Sequence, residues 1–248
     1  MDEDRGAGTT LKGRLADVYV PALVDGALAA LSRRLGNRAT IDDPLFGRAS
    51  TLSSIDPLLG KLTAYLRERR TTYRHVVSTT GIDRDVCEGV LTMTTSDGPA
   101  DVPIAVVAER RRLREIELRV YYATREPHRP TRAPLTEARA DTPIPQIVAH
   151  VLEALRKGAV ERVLAAFEES SRFVDPNGKP HPKRDGAMAA FLSSGRVDLA
   201  PAGVADDGRT CVLEASMSRH GAHPEPVTIS FERGDSGLLR ELRLYYEP

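Results

Sequence analysis

Tryptophan is absent from the 248 residues, and aromatic side chains of all kinds make up only 5% of the chain. Any cavity it builds must be walled mainly by aliphatic groups, with Tyr and Phe placed sparingly. An excess of charge of either sign is equally lacking. The 35 Lys and Arg balance 35 Asp and Glu, so net charge gives no pull toward nucleic acid or an anionic membrane. Cysteine is scarce. Cys87 and Cys211 sit at roughly corresponding places in two strand-like runs and read as small buried hydrophobes, not as a disulfide framework. No apolar run approaches the roughly 20 residues that span a bilayer. The first eight residues are acidic and glycine-containing, without the apolar centre of a secretory signal. A cytoplasmic, reduced protein with no nucleic-acid and no membrane partner is expected.

Several chemical signatures are missing too. There is no glycine-rich phosphate loop, no serine elbow and no Cys-x-x-Cys, so no cofactor is expected. No metal is expected either, because His220 and His223 lack neighbouring cysteines or clustered carboxylates. The run from Glu109 to Arg114 is densely basic, but it lies at a hairpin tip, where charge is ordinarily solvated.

What is present is an internal repeat. Leu113-Arg-Glu-Ile-Glu-Leu-Arg-Val-Tyr-Tyr122 is echoed by Leu239-Arg-Glu-Leu-Arg-Leu-Tyr-Tyr246. Ala39-Thr-Ile-Asp-Asp-Pro44 is echoed by Ser171-Arg-Phe-Val-Asp-Pro176. Between these, Ala64-Tyr-Leu66 answers to Ala190-Phe-Leu192, and Cys87-Glu-Gly89 to Leu213-Glu-Ala215. The order is kept throughout, as duplication with small loop insertions produces. Proline-rich sequence from Glu126 to Pro134 and from Asp141 to Pro145 breaks both helix and sheet and marks a semi-extended linker. The expected organisation is a flexible tail over 1–14, a first domain over 15–126, a linker over 127–143 and a second domain over 144–248.

Periodicity predicts the elements within each copy. Val18, Leu23, Ala27, Leu28 and Leu31 recur at helical spacing and predict one helix over about 15–35. In the second copy a helix through Ile147, Val151, Leu152 and Leu155 stops near Gly158, and another runs from Val160 to Phe167. A further helix is expected over 56–69, with Asp56 as N-cap and Pro57 in the first turn, and its counterpart over 183–192. Four alternating strands close each copy: 73–80, 86–95, 102–110 and 114–122, then 196–204, 210–218, 226–232 and 238–246. Helices first and antiparallel strands afterwards is the α+β pattern. Two tandem cone-shaped α+β barrels are expected, each a curved antiparallel sheet over N-terminal helices that encloses a pocket.

This order of helix, Asp-Pro turn, helix and meander ending in Tyr-Tyr resembles the NTF2-like superfamily, particularly its SnoaL-like polyketide-cyclase and ketosteroid-isomerase-like members. The resemblance covers nearly the whole chain, once per copy. It implies a pocket for a small apolar or polyketide-like molecule, and either cofactor-independent isomerase or cyclase chemistry or a non-catalytic ligand-binding or scaffold module. In the isomerases the Asp of the Asp-Pro turn is the general base, a task suited to a partly desolvated carboxylate; Asp43 and Asp175 match it. Tyr19 matches the tyrosine that donates to the oxyanion, while Val151 stands there in the second copy. The isomerases' protonated acid on the penultimate strand is replaced by the aliphatic Val106 and Ile229, which removes several kcal/mol of barrier lowering.

Family geometry turns Leu118, Val120 and Tyr122, and likewise Leu242, Leu244 and Tyr246, toward the pockets. Arg119 and Tyr121, with Arg243 and Tyr245, then face the other way. Glu88 and Glu214 are carboxylates in otherwise apolar strands and need a partner or a function. They are read both as pocket residues and as ion-pair partners of Arg119 and Arg243 across the contact between halves. Asp43 and Asp175 also suit simple turn capping, Tyr19 suits core packing, and His181 could carry a proton beside the second pocket. Many single-copy relatives pair through their sheets, so the resemblance implies an intramolecular pseudo-dimer, and the sequence does not fix assembly beyond that fused pair.

Overall fold

The computed structural model describes residues 11–96, 98–111, 115–123, 132–135, 143–184, 186–193, 197–219 and 223–246. The tail through residue 10, most of the linker, the hairpin tip 112–114 and His220 lie outside the described residues.

Two halves repeat one element order. The first runs α1 (Leu15–Val24), α2 (Leu28–Leu35), β1 (Ala39–Asp43), β2 (Gly47–Ala49), α3 (Leu52–Glu68), β3 (Thr72–Thr80), β4 (Arg84–Thr95), β5 (Gly98–Arg110) and β6 (Ile116–Tyr121). The second runs α4 (Gln146–Arg156), α5 (Val160–Ala165), β7 (Phe167–Val174), β8 (Pro180–Pro182), α6 (Ala187–Ser193), β9 (Val197–Asp206), β10 (Thr210–Arg219), β11 (Glu225–Arg233) and β12 (Leu239–Tyr245). The sheets have orders β2-β1-β6-β5-β4-β3 and β8-β7-β12-β11-β10-β9, strand for strand the same. The architecture is α+β, with open, curved sheets. Strands β3 to β6 form the expected antiparallel meander, but β1 joins β6 in parallel, as β7 joins β12. The Asp-Pro segment is therefore not merely a turn. It ends a strand that widens each sheet, followed by a short antiparallel partner.

The single helix expected over 15–35 is two. Gly26 takes φ 74°, a left-handed conformation open to glycine, and Ala27 N–H reaches back to the Ala22 carbonyl at 2.8 Å. This is a Schellman-type stop. Gly158 (φ 65°) and Ala159, bonded to Ala154 at 2.9 Å, repeat it in the second half, which fixes the alignment of α1 with α4. Helix α3 starts earlier than expected. Thr51 is its N-cap, its N–H bonded to Ser54 Oγ at 3.1 Å. Pro57 thus lies inside the helix, and Asp56 instead accepts from the Ser32 hydroxyl at 2.8 Å.

Period-two alternation divides each strand between two faces. On the helix-covered face Cys87, Leu91, Ile104, Val106, Leu118, Val120 and Tyr122 join Tyr19, Leu23, Ile55 and Leu59 in one core. A second core gathers Val148, Val151, Phe173, Leu213, Ile229, Leu242 and Tyr246 in the other half, with Leu244 against it. The opposite faces of the two sheets meet each other. Val86, Ala105, Val107 and Tyr121 pack on Ala205, Val212 and Tyr245 in a third, smaller apolar cluster.

Candidate functional site

In the first half the end of β1, α1 and the end of β6 converge on Asp43. Its Oδ1 accepts the N–H groups of Leu45 at 2.9 Å and Phe46 at 3.0 Å, capping the turn into β2. The Tyr122 hydroxyl donates to the same carboxylate at 3.3 and 3.4 Å. Only 1% of Asp43 is exposed. Burial pushes its carboxyl up to about 6, against the pull of the two backbone donors, of Arg132 and of Tyr122. Desolvation wins, because a buried anion loses more hydration than these bonds return.

Tyr19 lies within electrostatic reach of Asp43; burial first, and that carboxylate second, raise its phenol well above the ordinary value. Its buried hydroxyl has no hydrogen-bond partner, an expensive state for a donor. Tyr122 is raised for the same two reasons. The structure thus brings Asp43, Tyr19 and Tyr122 together, while Val106 sits in the same core without a polar group to offer.

The second half differs. Asp175 caps its own turn through the N–H groups of Asn177 and Lys179 at 2.9 and 3.0 Å, and it pairs with His181 Nε2 at 3.1 Å. Both side chains are about one-seventh exposed, 14% and 15%, so this dyad stands at a wetter position than Asp43. Val151 fills the place of Tyr19 within the apolar core, and Ile229 that of Val106.

Glu88 and Glu214 do not point into either core; the structure places them at the contact between the sheets. Arg119 holds Glu214 through Nε and Nη2, each at 2.7 Å, and the Tyr121 hydroxyl donates to it at 2.6 Å. Reciprocally, Arg243 Nε donates to Glu88 at 2.7 Å, Tyr245 at 2.6 Å and Ser230 at 2.8 Å. Each glutamate is thus clamped by the Arg and Tyr of the other half, the arrangement a two-fold relation between duplicated sheets produces. The pocket assignment of these two residues gives way to a docking one, because alternation puts 88 and 214 on the faces opposite the cores. Burial pushes the Glu214 carboxyl up, but Arg119, Arg84 and Tyr121 outweigh it and hold it below the usual carboxylate range.

Some contributors carried no visible signal. Arg84 adds ion pairs to Glu109 at 3.1 Å and Glu214 at 3.3 Å, and its guanidinium lies where a side chain at Gly203 would be. Thr210 occupies the matching position in the repeat, so comparison of the copies hid it. Glu109, read as a solvated hairpin residue, also binds Arg119 at 2.7 Å. The linker's Arg132 holds Asp42 at 3.0 Å and covers the Tyr121 ring at 4.9 Å. A few residues on, Leu135 N–H donates to Ser216 of the second half at 2.9 Å. A polar groove lined by Arg38, Arg48, Arg111 and Glu117 shares no residue with the Asp43 cluster.

The paired β1–β6 edge, the helix-hairpin-helix order and the meander occur once in each half, so the chain is a tandem of two α+β domains of one architecture. An NTF2-like protein of unknown function from Cytophaga hutchinsonii is 16% identical, matching 44% of this chain and 95% of its own, with a TM-score of 0.37. Another, from Burkholderia pseudomallei, is 15% identical over 41% of this chain and 88% of its own, at 0.36. The orange carotenoid protein of Anabaena (Nostoc) sp. PCC 7120, binding canthaxanthin, is 15% identical over 48% of this chain, at 0.39. The chain spans 43% of that protein's length. Such identities and TM-scores carry nothing about activity. No protein-family model and no curated protein matches the chain.

Proposed function

We propose that the first half binds a small apolar carbonyl compound and moves a proton on the carbon beside the carbonyl. Asp43 is the base and Tyr19 the donor to the oxygen that gains charge. The observation that carries this reading is the pairing of a buried carboxylate, raised to about 6, with a buried hydroxyl that has no partner. A base with that pKa is ionised at neutral pH yet strong enough to accept a carbon-bound proton, and a free phenol can stabilise the resulting enolate. Tyr122 donates to Asp43 beside the two backbone N–H groups, and Leu118 and Val120 supply apolar wall. Asp175 with His181 would act similarly in the second half, but without a phenol at Val151 it lacks the oxyanion partner. Leu242, Leu244 and Tyr246 then line a binding or structural core there.

Deuterium uptake beside the carbonyl of small cyclic ketones in heavy water tests this. The full chain should catalyse exchange with a rate rising through pH 6. Asp43→Asn should abolish it, and Tyr19→Phe should slow it by about 100-fold or more. Exchange that survives unchanged in Asp43→Asn refutes the assignment. A chain that binds the ketones without exchange favours the second reading, a non-catalytic ligand-binding or scaffold module. That reading is supported by Tyr122, which already engages the Asp43 carboxylate.

A further inference from the structure

We propose that Asp17, His75 and Cys87, at the edge of the first half, form a binding site for a divalent transition ion of the zinc class. The proposal is independent of the Asp43 reading. One ligand atom from each residue lies within 4.8 Å of the others. Bond lengths of about 2.0–2.3 Å in a tetrahedral zinc site place ligand atoms about 3.3–3.8 Å apart, so small side-chain rotations close the site. A thiolate, an imidazole and a carboxylate are the donor types that such an ion takes.

The chain assembles this group by a local irregularity. Residues three apart in a regular strand face opposite ways. The register shift between His75 and Val77 inserts Val76 into β3, a bulge that turns His75 and Ser78 to one face. Ser78 stands opposite Cys87 on β4, and α1 brings Asp17 over both. The Ser78 hydroxyl donates to Asp17 at 2.6 Å and lies 2.8 Å from His75 Nε2, and Tyr73 Oη is 3.2 Å from the Cys87 sulfur. Ser78 and Tyr73 are thus placed to orient the ligating groups, as outer-shell partners do. Cys87 belongs to the core while His75 is exposed, which leaves the group open to solvent on the His75 side.

The second half is an internal control. It keeps the same strands and the same irregularity, a register shift between Glu214 and Ala215 against β9. Yet Ala149, Leu199, Pro201, Val204 and Leu213 occupy the places of Asp17, Tyr73, His75, Ser78 and Cys87. Five polar positions become five apolar ones on one backbone. The fold therefore does not require the polar set.

The test is zinc titration calorimetry and cobalt absorption spectroscopy on the full, tag-free chain. One zinc per chain should bind at micromolar or lower concentration. Cobalt should give a thiolate charge-transfer band that Cys87→Ser removes. His75→Ala, at an exposed position, and Asp17→Asn should each weaken zinc at least tenfold, with melting curves of the ion-free variants close to the parent. His181→Ala should leave binding unchanged. Absence of zinc binding by the parent chain overturns the proposal, as does binding that both His75→Ala and Asp17→Asn leave intact. Should Cys87→Ser fail to fold, those two variants decide the matter.

Discussion

Replacing Glu214 with Ala should destabilise the whole chain, because it breaks a buried ion pair at the contact between halves. The substitution removes the acceptor of both 2.7 Å bonds from Arg119 and of the Tyr121 hydroxyl. Arg119 is only 3% exposed, so its charge cannot simply turn to water. Breaking a buried pair costs about 3–5 kcal/mol. Arg119 keeps Glu109 at 2.7 Å and Glu117 at 3.3 Å, which holds the cost to the lower end, about 3 kcal/mol. In a chain of this length that lowers the melting temperature by roughly 10 °C. Glu88→Ala should cost a similar amount, since Arg243 retains Glu232 and Glu241 at 3.1 and 2.8 Å. Converting Arg119, Tyr121 and Glu214 together to Met, Phe and Leu should recover most of the loss, because an apolar replacement leaves no charge or hydroxyl stranded. Urea unfolding of each variant measures this. A loss under about 1 kcal/mol for Glu214→Ala, or a triple variant no better than the single, refutes the clamp as the element that joins the halves.

Two further outcomes follow from the geometry. Asp43 has a folded-state pKa near 6, above the unfolded value of about 3.9. The folded chain therefore keeps a proton that the unfolded chain has lost, and stability falls as pH rises through that window. Asp43→Asn should stabilise the protein by about 2–3 kcal/mol at pH 7 and by almost nothing at pH 3; equal effects at both pH values would count against the assignment. Gly203→Ala should expel the Arg84 guanidinium from its place between Glu109 and Glu214, so its cost should largely vanish in an Arg84→Ala background, whereas additive costs in a double-mutant cycle would contradict this contact.

The repeat made the fold legible because duplicated segments must satisfy the same packing twice. The family resemblance turned Leu118, Val120 and Tyr122 to one face and Arg119 and Tyr121 to the other, and the matched Arg119 was legible as a partner for a glutamate; that Tyr121 also holds Glu214 was not. Three kinds of information were not legible. Strand β1 is five residues long and pairs in parallel with a distant strand, so no local pattern announces it beyond the Asp-Pro turn at its end. Contacts made by one copy alone, such as Arg84 on Gly203, leave no echo in a comparison of the copies. The Asp17, His75 and Cys87 cluster was hidden for a third reason: a bulge changes strand parity, and the sequence does not mark where it falls. Glu88 and Glu214 show the opposite case, since a buried carboxylate in an apolar strand demanded a cation, and the matched arginines supplied it.

The claim that the first half holds a working base is tested most directly by NMR titration of the Asp43 side-chain carboxyl in the full chain. Asp43 should titrate with a midpoint near 6. A midpoint near 4, the value of an ordinary hydrated carboxylate, would contradict it and leave Asp43 as the cap of a turn.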